Sequence, residues 1–150
     1  MKIRIREATK NDWKFILKLR NQESSRLSFF NTSTVDWDTH VSYMTKLTNN
    51  PTDHHWIIIF DDKDVGYIKI VNTELGSNLL DGYRRKGIGT AAYKLVFEEA
   101  KKLGFKKLNA EVKIDRPVPF TFEEKTSWKK IKLIYKNKKP YSYKIERILD

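Results

Sequence analysis

A short apolar strand, a basic loop with two glycines and an amphipathic helix follow one another between Glu74 and Gly104, and this succession constrains the chain more than any other stretch. Leu75, Leu79 and Leu80 supply the strand's apolar side chains, and Gly76 leaves room for close approach to the backbone. The loop reads Tyr83-Arg84-Arg85-Lys86-Gly87-Ile88-Gly89-Thr90. Gly87 and Gly89 open backbone angles closed to other residues, so consecutive N–H groups can converge on one anion where the helix begins. Arg84, Arg85, Lys86 and the helix dipole add positive charge there. Ala92, Leu95, Val96, Ala100 and Leu103 recur at helical spacing, and Gly104 is a C-terminal stop. The pattern predicts a diphosphate cradle, although a two-glycine turn also reads as a plain structural turn. A Walker A loop would end in Gly-Lys-Ser/Thr and a dinucleotide fingerprint would add a third glycine; neither is present.

The sequence on either side reads as strands and helices around this unit. From Lys2 to Ala8, Ile3 and Ile5 alternate with Arg4 and Arg6 in a half-buried first strand. Thr9-Lys10-Asn11-Asp12 has capping-box spacing and starts a helix with Trp13, Ile16, Leu17 and Leu19 on its apolar face and Asn21 at its end. A polar segment, Gln22 to Thr34, carries Leu27, Phe29 and Phe30. Asp36 then caps a second helix with Trp37, Val41, Met44 and Leu47, closed by Asn49-Asn50-Pro51. Trp56 to Phe60 and Val65 to Ile70 form an antiparallel pair, and Glu74 to Leu80 is the next strand. Beyond the loop's helix, Lys107 to Val112 is a strand, and Trp128 to Ile148 is a terminal hairpin turning near Asn137-Lys138-Lys139-Pro140.

A chain of 150 residues is long enough for one good core and too short for two ordinary ones. No Pro/Gly/Ser linker or repeat divides it, so a single domain over residues 1–150 is expected. The absence of cysteine excludes a disulfide framework, a thiolate metal site and a cysteine nucleophile. His54 and His55 adjoin a strand and point opposite ways, and His40 stands apart from acidic partners, so no metal is assigned. No apolar run approaches the roughly 20 residues that cross a bilayer, and none follows Met1-Lys2-Ile3-Arg4. A cytoplasmic protein without membrane attachment is the expectation. The net charge of +11 favours anionic partners in general, and nucleic acid, an acidic membrane, coenzyme A and nucleotide sugars all qualify.

Arg84-Arg85-Lys86-Gly87-Ile88-Gly89 resembles the (Gln/Arg)-x-x-Gly-x-(Gly/Ala) signature of the GNAT N-acetyltransferases, between the strand and helix where that family carries it. Thr90-Ala91-Ala92 continues the likeness, and Lys107 to Val112 resembles the family's fifth strand. The likeness covers nearly the whole chain and is similar in pattern to members that acetylate nucleotide-linked amino sugars or ribosomal proteins. It implies the GNAT fold, an α/β (α+β) architecture with a mixed, mostly antiparallel sheet flanked by helices in the order β-α-α-β-β-β-α-β-α-β-β. It implies acetyl-CoA as co-substrate, a small amine as acceptor and no metal. The pyrophosphate would sit on Arg84, Arg85, Lys86, Gly87, Ile88, Gly89 and Thr90, and the pantetheine arm would pair like an extra strand with the backbone of Leu79 and Leu80. The amine would attack the thioester directly, without a covalent enzyme intermediate.

Such a transfer needs a deprotonated amine, a polarised carbonyl and a tolerated thiolate. Glu74 and Glu111 are the candidate bases, although a lone strand Glu is more often solvated or ion-paired and a water chain could replace either. The departures from the family follow the fifth strand. Many relatives carry an Asn there, then a helix ending in Tyr-Glu-Lys-x-Gly-Phe. Here Arg116, between Asp115 and Pro117, aligns with the coenzyme-contacting Asn, and Glu123 aligns with the tyrosine that protonates the thiolate. Water, Glu123, Tyr83 or Tyr93 would have to supply that proton, or turnover is impaired.

On the acceptor side, Leu19-Arg20-Asn21-Gln22 with Arg26, Leu27, Phe29 and Phe30 resembles enzymes acting on nucleotide-linked amino sugars. Arg20 and Arg26 suit a dianionic acceptor and the two Phe rings could stack on it; alternatively Arg20 finishes a helix and the rings fill the core. A protein amine is the second acceptor reading. A binding module without turnover and a basic nucleic-acid-binding protein are readings from other classes. In the terminal hairpin, Lys129, Lys130, Lys132, Lys136, Lys138, Lys139 and Lys144 interleave with Trp128, Tyr135, Tyr141 and Tyr143. A solvated, edge-protecting lysine face is preferred there over a single-stranded nucleic-acid site, and the hairpin is also the candidate surface for a homodimer.

Overall fold

The computed structural model describes residues 2–23, 25, 33–114 and 127–149. The strands are β1 (Ile3–Glu7), β2 (His54–Phe60), β3 (Lys63–Val71), β4 (Glu74–Leu79), β5 (Lys107–Lys113), β6 (Trp128–Lys136) and β7 (Lys139–Ile148). The helices are α1 (Trp13–Asn21), entered through a 3-10 turn at Lys10–Asp12, then α2 (Trp37–Thr48) and α3 (Ile88–Lys102). One sheet holds all seven strands in the order β1-β2-β3-β4-β5-β7-β6. Its neighbours run antiparallel except for β4 and β5, which are parallel. Within the described residues, the order expected from the sequence is met. The helix expected between β5 and β6 lies outside the described residues.

Two apolar layers flank the sheet, and the run Trp56-Ile57-Ile58-Ile59 shows why. A strand that alternates its side chains while remaining apolar throughout must be covered on both faces. Trp56 and Ile58 pack with α3 through Ala92, Val96 and Ala100, while Ile57 and Ile59 pack with Ile16 and Leu19 of α1 and Met44 of α2. Each fully buried Ile contributes roughly 1.5 to 3 kcal/mol.

Two helices present faces other than the expected ones. In α3, Tyr93 and Phe97 turn inward and pack in the sheet-side core while Leu95 and Leu103 are exposed. In α2, His40 rather than Trp37 faces the core. His40 Nε2 lies 2.8 Å from the Trp13 carbonyl oxygen, and burial lowers its pKa and keeps it neutral.

The N-terminal corner is fixed by Asp12. Its carboxylate accepts from the Thr9 N–H (2.8 Å) and from both terminal nitrogens of Arg6 (2.9 and 2.8 Å). Those Arg6 bonds, with the Thr9 bond, hold Asp12 below its ordinary pKa. Asn137 and Lys138 turn the terminal hairpin, both at positive φ (54° and 63°), the combination that matches strand twist in a two-residue connection. Along the hairpin Lys130 Nζ sits 4.7 Å over the Tyr143 ring and Lys136 Nζ 5.0 Å over Tyr141, while Trp128 is buried. No helix among the described residues is long and apolar enough to cross a membrane.

Candidate active site

The parallel pair β4–β5 is where the sheet opens. The strands meet at Glu74↔Asn109, where the Asn109 N–H donates to the Thr73 carbonyl (2.9 Å) and its side-chain amide to the Thr73 hydroxyl (2.7 Å). No further registered β4–β5 pair follows among the described residues, so the two strands part toward the C-terminal end of β4. On its other edge β4 stays paired with β3 as far as Leu79. The Leu80 N–H donates to Val65 (2.8 Å), which places Leu79 at the alternate position with its backbone groups toward the open edge.

The expected pairing of an extended ligand with Leu79 and Leu80 therefore meets a partly occupied backbone. Leu80 spends its N–H on Val65 and its carbonyl on the Tyr83 N–H (3.1 Å). The Leu79 carbonyl accepts from the Gln22 side-chain amide (3.1 Å) and from Arg84 (3.3 Å). The Leu79 N–H and the backbone of Ser77, two residues earlier on the same edge, are what β4 offers.

Gly87 is the N-cap of α3, with φ 80° and ψ 1°, a left-handed conformation that favours glycine. The first helical bond is Ala91 N–H to the Gly87 carbonyl (3.1 Å), which leaves the N–H groups of Ile88, Gly89 and Thr90 without helical acceptors. Arg85 adds a second positive φ (60°) just before. Gly89 lies inside the first turn, where an added Cβ would meet Leu79 at an ordinary 3.7 Å, so Gly87 carries the backbone requirement. Arg85, Lys86 and Gly87 are exposed around this turn. Three unpaired N–H groups beside exposed cations fit a diphosphate. Arg84, also exposed, is engaged by protein groups instead. It donates to the Ser25 hydroxyl (3.1 Å) and the Asn78 side-chain oxygen (3.2 Å), so it braces the loop against β4 and the end of α1.

On the face of β3 and β4 toward α1 and α2 lies a cavity of about 330 Å³. Gly76 and Asn78 form its floor on β4, Tyr67 and Lys69 on β3, and Arg20 and Tyr43 face it from α1 and α2. Gly76 accounts for the room on that strand: a Cβ there would lie 3.3 Å from Lys69 Cε, so the close approach expected at this glycine is made by the lysine's own stem. Lys69 Nζ donates to the Tyr43 hydroxyl (2.9 Å). The Tyr67 hydroxyl bonds His55 Nδ1, and burial raises the pKa of Tyr67 and brings that of His55 down to about 4, so both stay neutral near pH 7.

The remaining sequence candidates distribute as follows. Glu74 is exposed at the joined end of β4, and Glu111 on β5 accepts from the Ser142 hydroxyl (3.1 Å). Asn21 clamps Val35, donating to its carbonyl (2.9 Å) and accepting from its N–H (2.8 Å), so it shapes the cavity wall. Tyr93 is buried against Ser77, and Tyr83 packs edge-on to Phe60. Arg26, Phe29, Phe30, Arg116 and Glu123 lie outside the described residues. Sequence reasoning missed Lys69, Tyr43, Tyr67 and Asn78. A lysine inside an otherwise apolar strand was the available signal for the first.

An open parallel strand pair, a glycine turn with unpaired N–H groups at a helix start, and a cavity on the adjoining strand face together define an acyl-transfer architecture. The model of the acetyltransferase (GNAT) family matches residues 13–118, more than half of the chain. The chain belongs to the GNAT acetyltransferase family and is an acyltransferase. The resemblance and fold expected from the sequence are thereby borne out. No curated protein is significantly similar in sequence.

Solved structures share the fold at low identity. A phosphinothricin acetyltransferase from Sinorhizobium meliloti in complex with acetyl-CoA has a TM-score of 0.80 at 17% identity, covering 99% of this chain and 89% of that one. A ribosomal-protein-alanine N-acetyltransferase from Brucella melitensis has 0.77 at 18%, covering 97% and 99%. A spermidine N-acetyltransferase from Vibrio cholerae in complex with CoA and spermine has 0.79 at 11%, covering 98% and 95%.

Proposed function

We propose that the chain transfers the acetyl group of acetyl-CoA to a primary amine of a small molecule, and that a nucleotide-linked amino sugar is the preferred acceptor. The observation that carries the transfer is the meeting beside β4 of an open strand edge, a glycine turn and a cavity. Acetyl-CoA supplies the acetyl group as a thioester. The N–H groups of Ile88, Gly89 and Thr90, with Arg85 and Lys86, hold its pyrophosphate, and the Leu79–Ser77 edge receives the extended arm. The acceptor amine enters from the cavity, the N–C bond forms as the C–S bond breaks, and the thiolate leaves. Complexes of fold relatives with acetyl-CoA and CoA support the co-substrate. A protein amine is the second acceptor reading, supported by the ribosomal-protein relative.

Thermal unfolding with and without acetyl-CoA tests the co-substrate directly. At about 100 times the dissociation constant, binding adds roughly 2.7 kcal/mol, which for a chain of this size raises Tm by about 5 to 10 °C. A folded protein whose Tm does not move lacks the co-substrate, and the proposal fails.

Glu74 is proposed as the proton acceptor for the amine, because it precedes Gly76 and Asn78 on the same face of β4 by strand alternation. Glu74→Gln keeps the thermal response to acetyl-CoA and lowers kcat by about 100-fold, the lower end of general-base contributions. Steady-state kinetics on the variant decide this; an unchanged kcat would transfer the role to Glu111 or to water.

A further inference from the structure

We infer that the acceptor carries an acidic group of its own, held inside the cavity by Lys69 together with the Tyr43 hydroxyl. The inference rests on the acetyltransferase reading and narrows it to a class of substrate.

Lys69 brings a cation to the cavity wall, and none of the described residues that line it is an Asp or Glu. The two other titratable rings that reach it do not offset this charge, because His40 and Tyr67 are both neutral near pH 7. Among the described residues Lys69 has no carboxylate within ion-pair distance; its ammonium donates to Tyr43 Oη at 2.9 Å and lies 5.3 Å over the same ring.

The hydroxyl that accepts from a lysine keeps its own proton to donate, so Lys69 and Tyr43 present an ammonium and an O–H side by side. That pair matches a carboxylate, phosphonate or phosphate oxygen. Gly76 is part of the same arrangement: with no Cβ it lets the Lys69 stem lie across β4 and brings the ammonium over the cavity floor.

An amine enters such a site as an ammonium ion and meets like charge. A polyamine carries several such charges and no acid for Lys69, whereas an amine with an acid group brings a counter-charge to it. The same chemistry could come from an amino acid with an extra acid group or from a phosphate of a nucleotide-linked amino sugar.

The test is acetylation by the full chain of four amines under identical acetyl-CoA: an amino acid with a second acid group, a nucleotide-linked amino sugar, the methyl glycoside of that sugar, and spermidine. At least one of the first two is acetylated with a kcat/KM tenfold or more above the last two, and which one identifies the source of the acid. Lys69→Met raises KM for that acceptor by about tenfold or more, the size of one charge-assisted hydrogen bond, while KM for acetyl-CoA stays unchanged and KM for the methyl glycoside does not rise. Tyr43→Phe keeps the ring beneath the lysine and gives a smaller rise in the same KM, which guards against a Lys69 variant that fails to fold.

Three results overturn the inference. The methyl glycoside or spermidine used as well as the acidic amines, or KM unmoved in both variants, would do so. So would the absence of acetylation of either acidic amine by a chain that acetyl-CoA does stabilise. If acetyl-CoA gives no thermal response and no amine is acetylated, the acetyltransferase reading falls and the acidic acceptor falls with it.

Discussion

Gly87→Asp is expected to abolish acetyl-CoA binding while leaving the protein folded. Gly87 caps α3 at φ 80°, a region where a non-glycine residue costs roughly 1 to 2 kcal/mol. Aspartate is among the residues that tolerate it, and it sets a negative charge beside the N–H groups at the start of the helix, where the dipole favours one. Stability therefore changes little. The anion site does not survive, because the N–H groups that would face the pyrophosphate are claimed by a fixed negative charge. Two like charges about 4 Å apart repel by roughly 4 kcal/mol at an effective dielectric of 20, which is a thousandfold in affinity.

The comparison that isolates the charge is Gly87→Asn, which has the same shape and no charge. It is expected to weaken binding moderately, where the aspartate removes the thermal response to acetyl-CoA altogether. Calorimetric titration of both variants reads the difference, and an aspartate variant that binds as the parent does would show that the glycine turn is not the pyrophosphate site.

The part of this site that the sequence made legible is the part governed by local rules. A glycine at a helix start, basic neighbours and an apolar strand before them are all read within twenty residues, and Gly87 stands where that reading put it. The first β strand, the capping spacing at Thr9 and Asp12, the Asn137–Lys138 turn and the stop at Gly104 (φ 94°) are local in the same sense. What was not legible depends on which strand lies beside which. Arg84 reads as one more charge of the loop until its bonds to Ser25 and Asn78 turn it into a brace. Gly76 reads as an approach for a ligand until β3 is placed beside it and Lys69 is found to fill the space. Asn21 reads as a contact for the acceptor until both its polar atoms are seen on Val35. Helical periodicity likewise set Leu95 and Leu103 inward, while the core took Tyr93 and Phe97, because spacing fixes a stripe of about 100° and packing chooses its centre.

Gly66→Val is expected to lower Tm by about 5 to 10 °C, and it tests the strand on which loop, open edge and cavity all depend. Gly66 lies in β3 opposite Leu79 of β4 and beside the irregularity at Ile58 and Ile59 of β2. A Cβ at this position would meet Leu79 Cδ2 at 2.7 Å, the Asn78 carbonyl oxygen at 2.8 Å and Ile58 Cδ1 at 3.1 Å. Side-chain methyls can rotate away. The carbonyl cannot, since it belongs to the backbone of β4, so either β3 or β4 must shift.

Intrinsic preference works in the other direction: valine is favoured over glycine in strands, by up to roughly 1 kcal/mol in host proteins. Overpacking of a tight interior costs about 1 to 3 kcal/mol, with the upper end where backbone must move, so the steric effect wins by about 2 kcal/mol. Gly66→Ala places the same Cβ without the extra methyls and should show most of the loss, which separates crowding by the Cβ from crowding by the larger side chain. A thermal scan that found the valine variant as stable as the parent would mean that β4 can yield at Asn78. The consequence for function follows from what Asn78 holds. Its amide donates to the Leu19 carbonyl (2.9 Å) and its oxygen accepts from Ser25 (2.7 Å) and Arg84. A displaced Asn78 loosens the end of α1 and the glycine loop together, so the surviving folded fraction of the variant should bind acetyl-CoA more weakly as well as unfold sooner.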